Sequence, residues 1–476
     1  MIPVESAPVA VPEGGFAALG LSPSLRRVVA ELGFVTPTAV QARAIPLLLA
    51  GQDVIAQSTT GSGKTAAFAL PILQRLNLAV RRPQALILCP TRELCDQVAR
   101  DVRKLGRAEA GLQVLVVSGG HPMNPQRAAL QQGVHVVVGT PGRALDHVSR
   151  GSLPLAEVAT LVVDEADRML DMGFGAEMEK IFASAPKPRQ TVFLSATYPR
   201  SIAAMTKAHQ QNPVRLTIAA PAAVELRQVL HAVEERGRLD TLLALLRADP
   251  PDSAIVFCNL KATVASIEPA LAAAGISCAS LHGNLEQRER DLVMAKLRNH
   301  SIRVLVATDV AARGLDIDGL DLVVNFELPF QPEIYVHRVG RTGRAGRPGL
   351  AVSLAGPQDG GKVKAIEAAI GSTLERQVTP RQEDVPVLEF KSTIAADAAM
   401  ETLYIAGGRK DKMRPGDILG ALTGEAGGFK GSDVGKIEIH ERFSYVAIAK
   451  GQAQRAIGQL GAGRIKGKKF KVGLAR

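Results

Sequence analysis

The segment STTGSGKT, from Ser58 to Thr65, lies between two stretches of different periodicity. The stretch before it, Asp53–Ala56, is short and apolar and predicts a strand, whereas the stretch after it, Thr65–Leu76, predicts a helix. Glycines in such a turn let backbone N–H groups approach phosphate oxygens, and the first turn of the helix adds favourable electrostatic potential. The segment therefore predicts a phosphate-binding loop in an α/β fold.

The polar residues of this loop match a Walker-type nucleotide site. Lys64 can place its ammonium between the β- and γ-phosphates of ATP, and the Thr65 hydroxyl can bind Mg²⁺. Ser58 stands where the strict pattern has glycine. The other residues expected to contact the phosphates are Thr59, Thr60, Gly61, Ser62 and Gly63. The alternative is a glycine-rich turn without a ligand, and the Lys-Thr pair between a strand and a helix argues against it.

A second polar motif, DEAD from Asp164 to Asp167, follows the apolar strand predicted at Leu161–Val163. A carboxylate at the end of a buried strand holds Mg²⁺ in P-loop NTPases, and Asp164 is the candidate here. Glu165 can orient and deprotonate the attacking water. An acidic helix cap is the alternative interpretation. The two motifs lie on one predicted sheet, so together they favour a site for ATP and Mg²⁺.

Short apolar segments alternate with helical segments in two successive regions of the chain. The predicted strands are Ala85–Cys89, Val114–Val117, His135–Val138, Leu161–Val163 and Val192–Leu194, then Ala254–Cys258, Val304–Ala307, Leu322–Phe326 and Ala351–Leu354. Helices are expected between them, for example at Leu94–Leu105 and Leu239–Arg247. Near-continuous Val, Leu and Ile content is typical of parallel strands buried on both faces. The pattern predicts two α/β doubly wound parallel-sheet domains.

Proline-containing breaks near Asn212–Leu226 and Thr379–Lys391 divide the chain. After the second break the pattern changes to β-α-β-β-α-β. The strands are expected at Leu403–Ala406, Lys436–Ile439, Tyr445–Ala449 and Lys469–Val472, and the helices at Arg414–Leu422 and Gln452–Leu460. This order predicts a ferredoxin-like α+β domain of the RNA-recognition (RRM) type.

Net charge and composition narrow the class of protein. The 476 residues carry a net charge of +11, and the last 76 residues contain 15 basic and 7 acidic side chains. Such an excess favours a polyanionic partner. The four cysteines form no C-x-x-C pair, and no apolar run reaches the length of a membrane helix. Met1–Gly15 lacks the pattern of a signal peptide, so we expect a cytoplasmic protein without a membrane partner.

The motifs resemble, in content and order, those of the DEAD-box RNA helicases from Phe16 to about Gly371. This resemblance implies two tandem RecA-like domains that use ATP, Mg²⁺ and RNA. We expect a flexible N-terminal extension at 1–15, RecA-like domains at 16–217 and 218–378, a linker at 379–398 and an RNA-binding domain at 399–476.

The resemblance also implies further ATP contacts. The segment from Gly33 to Gln41 is similar to the family's Q motif, in which Gln41 would bind the adenine edge next to the rings of Phe34 and Phe16. The segment ATDVAARGLD resembles the fifth motif and would bring Asp316 to the ribose. The segment HRVGRTGR resembles the sixth motif. Its arginines Arg341 and Arg344 would stabilise charge on the γ-phosphoryl group in the transition state.

RNA contacts are implied at the ends of several predicted strands. The candidate residues are Thr91, Arg92, Gly119, Gly120, Thr140, Gly142, Arg143 and Thr308. Hydroxyls and glycine N–H groups in such positions suit phosphate oxygens and read no base. Taken alone, each of these short motifs is also compatible with an ordinary helix cap. Ser195, Thr197 and His337 would couple hydrolysis to duplex separation.

In the stretches Lys412–Gly424, Gly435–Ile437 and Gly463–Lys468, the chain from about Met400 to Arg476 resembles the RNA-binding domain of the DbpA subfamily. This resemblance implies a large-subunit ribosomal RNA target in ribosome assembly. Two interpretations stay open for Tyr404, Phe443 and Tyr445, which either stack RNA bases or pack in a core. The lysines Lys466, Lys468, Lys469 and Lys471 form a predicted basic strand edge that either binds RNA phosphates or opposes aggregation.

These observations predict an ATP-dependent RNA helicase that locally separates RNA duplexes. The hydrolytic site would need residues from both halves and would therefore form only when the halves close. No obligate protein partner is inferred. The alternatives are an RNA-binding scaffold that uses ATP as a switch and a processive DNA helicase. The presence of Glu165, Arg341 and Arg344 argues against the scaffold, and the RNA-recognition pattern argues against the DNA helicase.

Overall fold

A computed structural model describes residues 4–5, 14–58, 61–120, 122–218, 226–312, 319–343, 348–377, 398–424 and 428–475. The described residues up to 218 form one compact unit, and those from 226 onward form a second. We call residues 398–475 within the second unit the C-terminal module.

A parallel sheet of eight strands forms the centre of the first unit. The strands are β1 (Val4–Glu5), β2 (Val54–Gln57), β3 (Ala85–Leu88), β4 (Val114–Val117), β5 (Val136–Gly139), β6 (Thr160–Asp164), β7 (Gln190–Ser195) and β8 (Val214–Thr217). Their spatial order is β1-β8-β2-β7-β6-β3-β5-β4. Alternate residues of one strand enter two different cores: Ile87 packs on one face of the sheet, and Leu86 and Leu88 pack on the other. This double burial explains the unbroken apolar runs of the sequence.

Nine helices among the described residues of the first unit cover this sheet. They are α1 (Pro23–Glu31), α2 (Ala39–Leu49), α3 (Lys64–Arg75), α4 (Arg92–Leu105), α5 (Met123–Gln132), α6 (Pro141–Ser149), α7 (Ala166–Asp171), α8 (Gly175–Ser184) and α9 (Arg200–His209). Side chains of Ser22, Thr38 and Thr91 accept hydrogen bonds from the first turns of α1, α2 and α4. These caps fix where the helices begin, and therefore fix the loops before them.

The second unit contains a seven-stranded parallel sheet. Its strands are β9 (Leu226–Ala232), β10 (Ala254–Cys258), β11 (Cys278–Leu281), β12 (Val304–Thr308), β13 (Leu322–Asn325), β14 (Gly349–Ala355) and β15 (Glu375–Gln377). The helices are α10 (Arg238–Ala248), α11 (Lys261–Ala273), α12 (Gln287–Arg298), α13 (Asp309–Ala312), α14 (Pro332–Val339) and α15 (Gly360–Ile370). The spatial order of the strands is β11-β12-β10-β13-β14-β9-β15.

The C-terminal module has an antiparallel sheet with two helices. Its elements are β16 (Met400–Ile405), α16 (Pro415–Thr423), β17 (Val434–Ile439), β18 (Ser444–Ala449), α17 (Ala453–Ala462) and β19 (Val472–Leu474). The strand order is β17-β18-β16-β19. Ile418 and Leu460 of the two helices pack against Leu403 and Val446 of the central strands.

The predicted fold class is confirmed: two doubly wound parallel sheets precede a small RRM-type α+β module. The bounds predicted for the last strand, Lys469–Val472, are displaced from those observed. The final strand begins at Val472, and Lys469 lies before it, because Ile465 and Lys468 exchange backbone hydrogen bonds across a tight turn. Strand β8 also lies inside the break predicted near Asn212–Leu226. The break predicted at Thr379–Lys391 lies outside the described residues.

None of the helices among the described residues combines the length and the apolar character that crossing a bilayer requires.

Candidate nucleotide and RNA sites

The phosphate loop joins β2 to α3, as the sequence predicts. Gly63 has φ 90°, a left-handed conformation that starts α3 directly after the loop. The Lys64 ammonium donates a hydrogen bond to the Ser58 carbonyl at 2.9 Å, and the Ser62 hydroxyl donates to Ser58 Oγ at 3.1 Å. The lysine is therefore held over the loop that precedes its own helix. Thr59 and Thr60 lie outside the described residues.

Gln41 connects the Q motif to this loop. Its amide nitrogen donates to the Gly63 carbonyl at 3.2 Å, and its amide oxygen accepts from the Thr38 N–H at 2.9 Å. A Cβ atom on residue 63 would come within 2.5 Å of the Gln41 amide nitrogen, so both the positive φ and this approach require glycine. The rings of Phe16 and Phe34 stack with centroids 6.3 Å apart. The role of Gln41 at adenine stays a prediction.

Asp164 ends β6 with its side chain buried. Burial raises the pKa of its carboxyl to about 6, although the nearby Lys64 ammonium acts in the opposite direction. Among the described residues, its Oδ1 atom has no hydrogen-bond partner. A buried, unpaired carboxylate oxygen near the phosphate loop fits a hard divalent cation such as Mg²⁺. The half-buried Thr65, in the first turn of α3, has the hydroxyl predicted to complete such a site.

Glu165 adopts an unusual backbone conformation directly after this strand. Its φ of 55° is left-handed, a conformation that costs a non-glycine residue energy and is enriched at functional sites. The Arg168 guanidinium donates to Glu165 Oε2 at 2.7 Å, and both side chains are buried. This pair fixes the carboxylate beside Asp164. The sequence predicted the glutamate but assigned no role to the arginine.

Asp167 binds the segment Ser195–Thr197 after β7. Its Oδ2 atom accepts hydrogen bonds from the Ala196 N–H at 3.2 Å and from the N–H and hydroxyl of Thr197, both at 2.9 Å. The hydroxyl of Ser195 is buried, with no hydrogen-bond partner among the described residues. The last carboxylate of the DEAD motif therefore ties the ends of two neighbouring strands together. The sequence assigned coupling to Ser195 and Thr197 but assigned no role to Asp167.

The predicted RNA contacts of the first unit share one edge of the sheet. They follow β3, β4 and β5, which neighbour one another in the order β3-β5-β4. Thr91 caps α4, with its hydroxyl oxygen accepting from the Leu94 N–H at 3.3 Å. The Arg92 guanidinium lies against Gly119 and Gly120, where a Cβ atom on residue 120 would be 1.8 Å from Arg92 Nη1. The glycine pair thus makes room for this arginine.

Gln126 connects the segment after β4 to the segment after β5. It donates to the Ser118 carbonyl at 3.1 Å, and its amide oxygen accepts from Arg143 at 3.2 Å. His147 contacts the same oxygen at 2.9 Å. Thr140 lies directly before α6, and Gly142 lies in its first turn. The candidate residues follow strands as expected, and their contact with RNA stays a prediction. The sequence gave no indication of the glutamine.

A buried arginine organises the corresponding edge of the second unit. Arg338 of α14 is 1% exposed and binds both oxygens of Asp309, at 2.6 and 2.7 Å. It also donates to Asn325 Oδ1 at 3.1 Å and to Asn259 Oδ1 at 2.8 Å. Four partners on three segments satisfy this buried charge, counting the Glu327 carbonyl at 2.7 Å. Arg338 was not predicted, although it lies inside the motif HRVGRTGR.

This network fixes the position of three predicted functional residues. Thr308 ends β12 directly before Asp309, while His337 adjoins Arg338 and the buried Arg341 follows one turn later. The carbonyl of Arg341 accepts from the Leu320 N–H at 3.1 Å. Asp316 and Arg344 lie outside the described residues.

The lysines of the C-terminal module surround a turn, and the basic strand edge predicted for them is wrong. Lys466 and Gly467 both have positive φ, 52° and 78°, at the turn before β19. The Lys466 ammonium donates to the Lys412 carbonyl at 2.9 Å, and the Lys468 ammonium lies 3.8 Å from Asp411. Lys469 is exposed. The lysines thus lie next to the loop before α16.

Comparison with known proteins gives three consecutive matches. The family models are DEAD/DEAH box helicase at residues 38–205, Helicase conserved C-terminal domain at 237–346 and DbpA RNA binding domain at 402–474. The ATP-dependent RNA helicase DbpA of Escherichia coli is 46% identical over 447 residues, which cover 94% of this chain and 96% of that protein. The chain belongs to the DEAD-box RNA helicases.

Two further relatives extend the comparison. The ATP-dependent RNA helicase DbpA of Bacillus subtilis is 38% identical over 96% of this chain and 98% of that protein. Within the DEAD-box helicases, the chain is therefore a member of the DbpA subfamily. The structure of S. cerevisiae Dbp5 bound to RNA and ADP BeF3 matches with a TM-score of 0.71 and 33% identity, over 78% of this chain and 97% of that one.

In this DEAD-box helicase, aromatic residues of the module sheet contact α12. Tyr404 and Phe443 stack with centroids 5.7 Å apart, and Tyr445 meets Phe443 edge-on at 5.1 Å. This cluster packs against Ala295 and Leu292. Of the two open interpretations, packing therefore holds for the buried Tyr445. Tyr445 therefore packs both against α12 and against other residues of the C-terminal module.

Polar contacts reinforce the same interface. Arg298 donates to both oxygens of Glu438 at 2.7 Å, and the hydroxyls of Ser301 and Thr402 lie 2.7 Å apart. Burial alone would raise the pKa of Glu438, but the ion pair with Arg298 lowers it overall. These partners are 101 and 140 residues apart in sequence, so no local pattern indicated them.

Proposed function

We propose that this RNA helicase uses ATP hydrolysis to separate RNA duplexes locally in the cytoplasm. We further propose that its C-terminal module directs it to large-subunit ribosomal RNA during ribosome assembly. The observation that carries the catalytic part is the buried, unpaired Asp164 oxygen near Lys64 at the phosphate loop. The targeting part rests on the basic module and its membership of the DbpA RNA-binding domains.

ATP would bind through its phosphates to the loop of the first unit. The Lys64 ammonium, now bonded to the Ser58 carbonyl, would turn to the β- and γ-phosphates. Thr65 and Asp164 would hold Mg²⁺, which neutralises charge on the phosphate oxygens. Glu165, fixed by Arg168, would orient the water and accept its proton.

Residues of the second unit would complete this site. Arg341, in the segment held by the Arg338 network, and Arg344 would stabilise the negative charge that spreads over the γ-phosphoryl oxygens, and Asp316 would bind the ribose. Arginines in this role raise hydrolysis rates by roughly a thousandfold or more in other NTPases. Hydrolysis would then depend on closure of the two units, driven by ATP and RNA together.

RNA would bind along the strand ends that carry Arg92, Arg143 and Thr308. Such contacts hold the sugar-phosphate backbone and read no sequence. A strand bent to fit the closed protein would lose its partner, and product release would reopen the units. Asp167, bound to Thr197, would carry changes at the nucleotide to the end of β7.

Strand separation assays with a short and a long RNA duplex of the same base composition test this mechanism. Local separation predicts ATP-dependent release of the short duplex and little release of the long one. Equal release from both would indicate translocation and contradict the proposal. No ATP-dependent release, with tight binding of RNA and ATP, would favour the scaffold.

A further inference from the structure

A cavity of about 230 Å³ lies between α12 and the sheet of the C-terminal module. Both sides contribute to its walls, which are formed by Arg288, Glu289, Leu292, Tyr404, Tyr445, Leu474 and Ala475. The proposed ATP and RNA contacts make no use of these residues. The cavity exists only where the module meets the preceding part of the second unit.

The walls provide flat surfaces of two kinds. The Arg288 guanidinium lies 5.8 Å from the centre of the Tyr404 ring, and the Tyr445 ring is tilted against Tyr404 at 6.2 Å. Proteins that bind unpaired RNA stack its bases on tyrosine rings and on arginine guanidinium planes. Arg288 is exposed, whereas Tyr404 is half-buried. The arginine is therefore the wall that can move to admit a planar ring.

The charges at the cavity favour a neutral ligand over a phosphate. Glu289 adjoins Arg288 in the wall, so a phosphate would meet a carboxylate as well as a guanidinium. A nucleobase can donate an N–H group to a carboxylate. One oxygen of Glu289 accepts from the Glu286 N–H at 2.8 Å, which leaves the second oxygen for a ligand.

We propose that one unstacked nucleobase of the bound RNA enters this cavity between Arg288 and Tyr404. The inference rests on the proposed RNA targeting by the C-terminal module. Because both walls are needed, the base is bound only while the module is docked on α12. RNA that supplies such a base therefore stabilises the docked arrangement of the second unit.

The test combines protein variants with single abasic nucleotides. The full chain is titrated with a large-subunit ribosomal RNA fragment containing a hairpin and single-stranded flanks, and with an unrelated RNA of equal length. One abasic nucleotide is placed at each unpaired position in turn. In the wild type, one position should lower affinity roughly fivefold to a hundredfold, as expected for one stacked base.

Tyr404→Leu, which keeps an apolar wall, should lower affinity by a similar factor and remove the effect of that abasic position. Arg288→Ala changes an exposed residue and should do the same more weakly. Arg298→Ala breaks the ion pair with Glu438 without altering a cavity wall, so it measures loosened docking alone. Because the base is bound only in the docked arrangement, this variant should weaken the effect of the abasic position without abolishing it, whereas Tyr404→Leu abolishes it.

The outcome separates this inference from the targeting proposal. If no abasic position acts differently on wild type and Tyr404→Leu in either RNA, the cavity binds no base. If wild type binds both RNAs equally, the targeting proposal is wrong, and the abasic series on either RNA still decides the cavity. Photocrosslinking of 4-thiouridine at the sensitive position to Tyr404 or Arg288 would support the inference directly, and crosslinks only elsewhere would overturn it.

Discussion

The phosphate loop of the first unit and the lysine turn of the C-terminal module present charge in opposite ways. Lys64 and Asp164 are 7% and 4% exposed, and the Lys64 ammonium is held by the Ser58 carbonyl. Lys466, Lys468 and Lys469 are exposed on a turn. Chemistry needs desolvated groups in fixed positions, whereas attraction of an RNA backbone works across water. We therefore expect single changes to have large effects in the first region and small, additive effects in the second.

Glu165→Gln should give the largest effect. The amide keeps the shape of the side chain but cannot accept the proton of the attacking water, so RNA-stimulated hydrolysis should fall by about 100-fold to 10,000-fold. ATP and RNA binding should persist. Steady-state ATPase assays measure the loss, with the exposed Glu157→Gln as the matched control. Turnover within a few-fold of wild type would exclude Glu165 as the base.

Arg338→Ala tests whether a buried charge in the second unit is as sensitive to change as the buried charges of the phosphate loop. Removal of the arginine leaves the half-buried Asp309 without its ion-pair partner and the buried Asn325 oxygen without the Arg338 donor, so the free energy of unfolding should fall by about 3–5 kcal/mol. Arg227→Ala breaks an equally bidentate but exposed pair with Glu375, which solvent screens, and should leave the free energy of unfolding almost unchanged. Urea denaturation of both variants gives the comparison. Equal losses would mean that burial of the Arg338 network is unimportant.

The pH dependence of nucleotide binding tests the electrostatics of the first region. Because burial raises the pKa of Asp164 to about 6, protons compete with Mg²⁺ as the pH falls through that value. The contribution of Mg²⁺ to ATP affinity should be full above pH 7. It should then fall by up to about tenfold per unit below pH 6. Calorimetric titrations with and without Mg²⁺ isolate this contribution, and a constant Mg²⁺ contribution down to pH 5 would argue against Asp164 as a ligand.

The combined change of Lys466, Lys468 and Lys469 to glutamine should give the smallest and most uniform effect. Affinity for RNA falls as salt rises, and each lost phosphate contact makes the plot of log affinity against log salt less steep by about 0.7 to 0.9. The steepness of this plot should decrease by about 2. ATP binding should stay unchanged. A triple glutamine variant of the exposed Lys104, Lys180 and Lys187 is the control. An unchanged slope would mean that the turn binds no phosphate.

Sequence reasoning located the elements correctly where the candidate groups are consecutive in the chain, and their roles stay predictions. The phosphate loop and the DEAD motif each place several functional groups within one turn of chain, after a strand whose apolar run is visible. The two parallel sheets were predictable for the same reason, since burial on both faces leaves unbroken apolar segments.

Apart from local pairs such as Arg168 with Glu165, the missed contacts join distant segments. Asp167 meets Thr197 across 30 residues, and Arg338 meets Asp309 across 29. The docking of Arg298 on Glu438 spans 140 residues. Such pairs depend on how strands are ordered and how modules pack, which local periodicity does not record. For the same reason the sequence left open whether Tyr445 packs or stacks.

The most direct test of the proposed function is the ATPase rate of the full chain as a function of RNA concentration. A large-subunit ribosomal RNA fragment should stimulate hydrolysis at a much lower concentration than an unrelated RNA of equal length. A chain that ends at Ala398 should respond equally to both. Equal stimulation of the full chain by the two RNAs would contradict targeting by the C-terminal module, and hydrolysis indifferent to RNA would contradict the helicase mechanism.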